Sequence, residues 1–149
     1  MRKIMIVDDN YLSAEGIEKN IDWEVLNAEI VHICYNGTSA IDAMKKEPVD
    51  LIISDIEMPD LDGISMSRQA LDINPMVKII LISAYDKFEY ARRALLLGAL
   101  DYIEKPLDYA YLIQKVKNAF ALMEREQKNL QLLKQSRPLP VSYTHLTLP

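Results

Sequence analysis

Cysteine, histidine and glycine are scarce in this 149-residue chain, at one, two and four residues. The lone Cys34 excludes an intramolecular disulfide and any multi-cysteine metal site, and its place in an apolar run marks it as an inert buried thiol. His32 and His145 leave little room for a histidine-rich zinc centre. So few glycines, with no Gly-rich loop after the first apolar run, speak against a nucleotide-binding fold. Positive charge is also short. Lys plus Arg is 17 against 22 for Asp plus Glu, a balance of -5, which argues against a basic surface made for nucleic acid while permitting a local patch. No apolar run reaches the ~18 residues of a membrane span. Residues 4–7 pass straight into Asp8-Asp9, without the longer apolar region of a signal peptide. A cytoplasmic location with no membrane contact is the expectation.

What is present suits one globular core: 50% of residues are apolar and 26% charged. The apolar residues gather in short runs at 4–7, 30–35, 49–53, 77–82 and 100–103, rich in Ile and Val and mostly lacking polar alternation. Strands covered on both faces have this pattern. Helical segments alternate with them. The first spans 11 to about 21. The second, 39–46, follows the turn Asn36-Gly37-Thr38, with Ser39 as candidate N-cap and Asp42 three residues on. The third, 64–71, is stopped by Asn74-Pro75. The fourth, 86–97, has Asp86 as cap, Glu89 at its third position and Gly98 in the left-handed conformation that ends it. This alternation predicts an α/β three-layer sandwich: a five-stranded parallel sheet in the order 2-1-3-4-5, two helices on one face and three on the other. Trp23, in the long connection at 20–28, reads as a hydrophobic plug and not a recognition residue.

A last helix begins near Asp108 and meets no breaker before Pro138. Over 108–134 it would run ~40 Å at ~1.5 Å per residue, about twice what a five-stranded sheet requires. Ile113, Val116, Phe120 and Met123 read as core packing in its early part. Gln127 interrupts their spacing and Leu130 resumes it, so the later part is either a short coiled coil or a connecting helix. Residues 137–149 hold three prolines and one formal charge, with no useful period, and the stretch 141–149 resembles a translated sequencing-adapter tail. That tail is expected to be unstructured and non-native, and the chain a fragment.

Chemistry concentrates where the expected strands end. In an open parallel sheet the reactive crevice lies beyond the strand carboxyl ends, beside the point where strand order reverses. The first run hands over to Asp8-Asp9, the third to Ser54-Asp55, the fourth to Ser83-Ala84 and the fifth to Glu104-Lys105-Pro106. Singly these are ordinary. An Asp pair is a turn or cap, a serine a cap, a lysine a solvated charge, and Met58-Pro59-Asp60-Leu61-Asp62-Gly63 a turn. Their arrival together, in order, is the specific signal. Three carboxylates in one crevice repel and raise at least one pKa unless a cation is present. A hard divalent ion relieves this, and Mg²⁺ suits a site of few protein ligands. Lys105 adds a mobile positive charge for a phosphoryl oxygen and Ser83 a hydroxyl donor. The assembly suits a phosphoryl group attached to, or passing to, a carboxylate.

Over about residues 2–123 the sequence resembles the receiver domain of two-component response regulators. Four motifs carry the resemblance: Ile4-Met5-Ile6-Val7-Asp8-Asp9, the stretch from Ile53-Ser54-Asp55-Ile56-Glu57-Met58-Pro59 to Gly63, Ile82-Ser83-Ala84-Tyr85, and Gly98-Ala99-Leu100-Asp101-Tyr102-Ile103-Glu104-Lys105-Pro106. It implies a flavodoxin-like topology. It makes Asp55 the phosphoacceptor and Asp8 with Asp9 the acidic pair. Mg²⁺ would bind Asp9, Asp55 and the Glu57 backbone carbonyl, with Asp8 acting through water. Lys105 would pair with the phosphoryl group, Ser83 would be the switch hydroxyl and Tyr102 the switch aromatic, although Tyr102 taken alone reads as a half-buried tyrosine at the sheet edge. The implied function is a phosphorelay switch fed by a sensor histidine kinase. Such a module catalyses phosphorylation and dephosphorylation of its own aspartate and is not a turnover enzyme. A homodimer through helix four, strand five and helix five on activation is a further implication.

The segments Val7-Asp8-Asp9-Asn10-Tyr11-Leu12, Ile21-Asp22-Trp23 and Tyr85-Asp86-Lys87-Phe88-Glu89-Tyr90-Ala91 resemble receivers that precede an AraC-type helix-turn-helix output. The parent protein would then regulate transcription, touching DNA only through a missing C-terminal domain. The domain expectation is a receiver over 1–123, a helical extension or linker over 124–136, and the tail over 137–149. Departures are small: Asn10 replaces the more usual Glu, Ser83 stands where Thr is equally common, and Leu96 occupies a position where charge is frequent. Two other classes fit parts of the pattern. A Mg²⁺-dependent phosphatase with an Asp nucleophile would want a carboxylate at Glu57, but Met58-Pro59 follows instead of a loop to a cap domain. A non-catalytic α/β scaffold would use the acidic cluster only to bind cations. Arg92 and Arg93 read as a solvated helix face.

Overall fold

Branched Ile and Val side chains favour the pleated, doubly covered strands that the runs require. In the computed structural model, which describes residues 1–84 and 88–135, those runs become β1 (Arg2–Val7), β2 (Ala28–Cys34), β3 (Leu51–Asp55), β4 (Lys78–Ser83) and β5 (Asp101–Glu104). They form one sheet in the order β2-β1-β3-β4-β5, with each neighbouring pair parallel. The β1–β2 register shifts between Ile4 and Met5. Five helices alternate with the strands: α1 (Tyr11–Asn20), α2 (Gly37–Lys46), α3 (Gly63–Ile73), α4 (Phe88–Leu97) and α5 (Tyr109–Gln135). The flavodoxin-like order is the expected one.

Alternation along the strands sorts the core into two layers. Met5, Val7, Ile52, Ile79 and Leu81 cluster with residues of α2, α3 and α4, among them Met44, Met66 and Ala94. Their neighbours Ile4, Ile6, Ile53, Ile80 and Ile82 are buried on the other face, as are Ala14 and Ile17 of α1 and Leu112 and Val116 of α5. Three helices thus cover one face and two the other.

Helix ends depart from expectation in physically simple ways. Asn36, not Ser39, caps α2: its backbone is extended, and its Oδ1 accepts the Ser39 N–H at 2.7 Å. Ser39 is therefore inside the first turn, and Asp42 has no capping-box position. The third helix runs to Ile73 because Pro75 forces only the preceding Asn74 out of helical geometry. The expected cap Asp86 lies outside the described residues. Gly98 does take a positive φ, of 97°, after α4. Trp23 is buried and donates its indole N–H to the Ile17 carbonyl at 3.3 Å, as a plug would. Cys34 is buried as well, and burial pushes its thiol up.

The chain divides into two units, 1–119 and 120 onward, with α5 running through the division. In the second unit, Leu130, Leu132 and Leu133 are exposed. The tail expected over 137–149 lies outside the described residues. Among the described residues no helix is long and apolar enough to cross a membrane.

Candidate functional site

Strand order reverses between β1 and β3, and the crevice there is where an open sheet places its chemistry. Asp8 and Asp9 leave β1, and Asp55 is the last residue of β3. Carboxylate oxygens of all three lie within 4.8 Å of one another. Asp8 and Asp55 are only 4% and 7% exposed, whereas Asp9 faces solvent. Asn10 helps to orient Asp8: its N–H donates to Asp8 Oδ1 at 2.9 Å, while its own side chain caps α1. The Lys105 N–H donates to the Ser83 carbonyl at 2.8 Å, which fixes the backbone beyond β5 beside that of β4. Its ammonium then sits 3.3 Å from Asp55 Oδ2 and 3.8 Å from Asp8 Oδ2.

Burial pushes both the Asp8 and the Asp55 carboxyls above their ordinary range. The Asn10 amide and Lys105 oppose this at Asp8, and Lys105 opposes it at Asp55. Asp9 adds to the upward push on both. One ammonium among three carboxylates leaves the crevice short of positive charge. The donors are all oxygens, and the exposed Asp9 leaves an approach for an ion keeping part of its water shell. This set fits a hard divalent cation, and Mg²⁺ is the cofactor it is built for.

Ser83 is fully buried at the end of β4, and its hydroxyl donates to Glu57 Oε1 at 3.3 Å. Tyr102 lies outside the crevice, half-buried against the core layer of α2, α3 and α4. Asp9, Glu57, Met58 and Asp62 line a cavity of about 410 Å³, and Arg93 borders it. Arg93 is exposed, as a solvated face requires, yet it brings positive charge to the acidic mouth. Two further contacts escaped the sequence. One is the Glu57 side chain on Ser83. The other is Asp60, whose carboxylate accepts the Gly37 and Thr38 N–H groups at 3.2 and 3.1 Å. Neither has a spacing signature, because each ties the loop after β3 to an element more than twenty residues away.

The model of the response regulator receiver domain matches residues 4–117. The chain belongs to this family. Among solved structures it is similar to the REC domain of AraT, a response regulator from Geobacillus stearothermophilus, at 34% identity and a TM-score of 0.79, covering 85% of this chain and 98% of that one. A two-component transcriptional regulator AraC from Clostridium phytofermentans ISDg is similar at 29% identity and a TM-score of 0.76, over 87% of this chain and 99% of that one. Among curated proteins, the transcriptional regulatory protein HptR of Staphylococcus aureus is 32% identical over 114 residues, which is 75% of this chain and 44% of that protein. The uncharacterized transcriptional regulatory protein YesN of Bacillus subtilis is 29% identical over 126 residues, 85% of this chain and 34% of that protein. The chain thus spans under half the length of these curated relatives.

Membership makes this a phosphorelay signalling domain. A receiver takes a phosphoryl group on an aspartate beside a divalent-metal cluster and removes it again, acting on itself and not on a separate turnover substrate. Asp8, Asp9 and Asp55 supply that cluster here.

Proposed function

We propose that Asp55 is the phosphoacceptor of a switch that reports to a transcriptional output. The observation that carries this is the Asp55 carboxylate at the end of β3, grouped with Asp8 and Asp9 and 3.3 Å from the Lys105 ammonium. An Asp55 carboxylate oxygen attacks phosphorus, the new O–P bond forms, and the P–N bond to the kinase histidine breaks. Asp9, Asp55 and the Glu57 carbonyl would hold Mg²⁺, with Asp8 reaching it through water. When bound, the ion offsets charge on the phosphoryl oxygens. Lys105 pairs with another of those oxygens, and the Ser83 hydroxyl leaves Glu57 to donate to a third. Tyr102 then moves into the space so opened, altering the surface of α4, β5 and α5. Residues 1–123 form the receiver in this scheme, 124–136 serve as a helical extension or linker toward an output region, and the exchange takes place in the cytoplasm. DNA contact belongs to that output, as the regulatory names of the longer relatives suggest.

Acetyl phosphate with Mg²⁺ should add one phosphoryl group to Asp55, read by intact mass and peptide mapping. Asp55→Asn should abolish the adduct, and persistent labelling elsewhere would remove Asp55 from this role. Asp9→Ala should chiefly raise the Mg²⁺ concentration required, because it deletes a ligand and leaves the nucleophile in place.

A further inference from the structure

The loop joining β3 to α3 carries the Glu57 carbonyl, a ligand whose direction depends on backbone torsions and not on a side-chain rotamer. Two ties hold the base of this loop. The Gly63 N–H donates to the Ile56 carbonyl at 2.8 Å, and Asp62 caps α3 by accepting the Ser65 N–H at 2.7 Å. A third tie holds the tip and reaches a different element. Asp60 Oδ1 accepts from Gly37 and Oδ2 from Thr38, the first two residues of α2. Such first-turn amides have no carbonyl partner within their own helix, and the helix dipole favours an anion beside them. The Thr38 hydroxyl donates too, and these bonds hold the Asp60 carboxyl down at about 2. Leu61 rests directly on the same helix end. A Cβ at Gly37 would lie 2.7 Å from Leu61 Cβ and closer still to the Leu61 carbonyl oxygen.

We propose that Asp60 is a positioning residue for the metal and phosphoryl site: by pinning the loop tip to the amino end of α2, it fixes the backbone that carries the Glu57 carbonyl beside Asp9 and Asp55. This rests on the site assignment above. Gly37 completes the device, since its missing side chain lets Leu61 and the loop seat against the helix. Asp60 touches neither the ion nor the phosphoryl group and acts only through the loop.

The test is Mg²⁺ affinity by titration calorimetry, run with acetyl phosphate labelling of Asp55 and thermal melts on the same samples. Asp60→Ala removes the carboxylate's hydrogen bonds at the tip and leaves Leu61 seated on Gly37. Asp60→Asn keeps one acceptor oxygen and drops the charge. Gly37→Ala keeps the carboxylate and displaces Leu61. Asp60→Ala and Gly37→Ala should each weaken Mg²⁺ binding about tenfold, the range seen when groups that orient metal ligands are lost. Asp60→Asn should fall between them and the wild type. If Asp60→Asn matches Asp60→Ala while Gly37→Ala binds like the wild type, the effect is charge alone and the proposal is overturned. Wild-type affinity in all three variants overturns it too. Should Asp60→Ala not melt cooperatively, Asp60→Asn and Gly37→Ala carry the same comparison. If affinities shift as expected but the wild type takes no phosphoryl group on Asp55, the acceptor assignment fails and the loop tie stands.

Discussion

The two buried carboxylates of the crevice carry a stability consequence of definite sign. Burial raises Asp8 and Asp55 in the folded state, so the folded protein disfavours their ionised forms. For a raised carboxyl, stability is fully present below the unfolded pKa of about 3.9 and is lost as pH rises through the higher folded value. Without a divalent ion, Asp55→Asn should therefore melt above the wild type at pH 7, by about 3 °C for each kcal/mol relieved. The gap should narrow as pH falls through the raised folded value and the wild-type carboxyl takes up its proton. Mg²⁺ at a hundred times its Kd should stabilise the wild type by about 2.7 kcal/mol and Asp55→Asn by far less. A lower melting point for Asp55→Asn at pH 7 would show that its pairing with Lys105 outweighs burial. Asp8, Asp9, Asp55, Ser83 and Lys105 were legible in the sequence because each sits where an apolar run stops. Asp60 and the Glu57 side chain were not. Their partners are set by how the loop after β3 closes on the start of α2 and the end of β4, and a carboxylate within a Pro/Gly-flanked turn looks the same whichever amides it meets.

Elements were easier to find than their ends. A strand buried on both faces announces itself by an unbroken apolar run, and so β3, with all five residues buried, was readable from composition. Caps were harder, because Asn36 and Ser39 are equally good N-cap residues and only the extended backbone at Asn36 decides between them. Gly98 is the exception, since a glycine directly after a periodic segment has a physical reason to be there. Its φ of 97° lies where an L side chain is strained, and nothing stands within 4 Å of the position a Cβ would take. Gly98→Ala should thus cost conformational energy alone, about 1 kcal/mol, with no steric contribution. Urea denaturation should show a lower midpoint with an unchanged slope. An unchanged midpoint would mean that the end of α4 relaxes to an ordinary helical turn.

At the scale of the molecule, topology followed from alternation and handedness: once five strands alternate with five helices, right-handed crossovers leave few arrangements. What alternation does not encode is which surface answers to the phosphoryl site. The connecting parts are close in the chain and in space. The Lys105 N–H bonds the Ser83 carbonyl, Tyr102 precedes Lys105 on the same strand and turn, and Lys115 of α5 meets Asp101 of β5 at 3.1 Å. On α4, Leu95 and Leu96 are 68% and 77% exposed, an apolar pair that water leaves available for burial at ~25 cal/mol per Å². In the switch proposed above, drawing Lys105 and Ser83 toward a phosphoryl group would change the packing behind Tyr102 and with it the face of α4, β5 and α5. Beryllofluoride with Mg²⁺ should therefore tighten self-association about fivefold or more, the lower end of coupling between linked sites. Light scattering across a concentration series reads this directly. Leu96→Glu should weaken association with and without the mimic, because it puts charge on the buried face. Tyr102→Ala should leave the basal level alone and remove the response. If the mimic changes nothing, or both variants behave as the wild type, this face is not the one the site controls, and association would have to arise from the exposed leucines beyond residue 120.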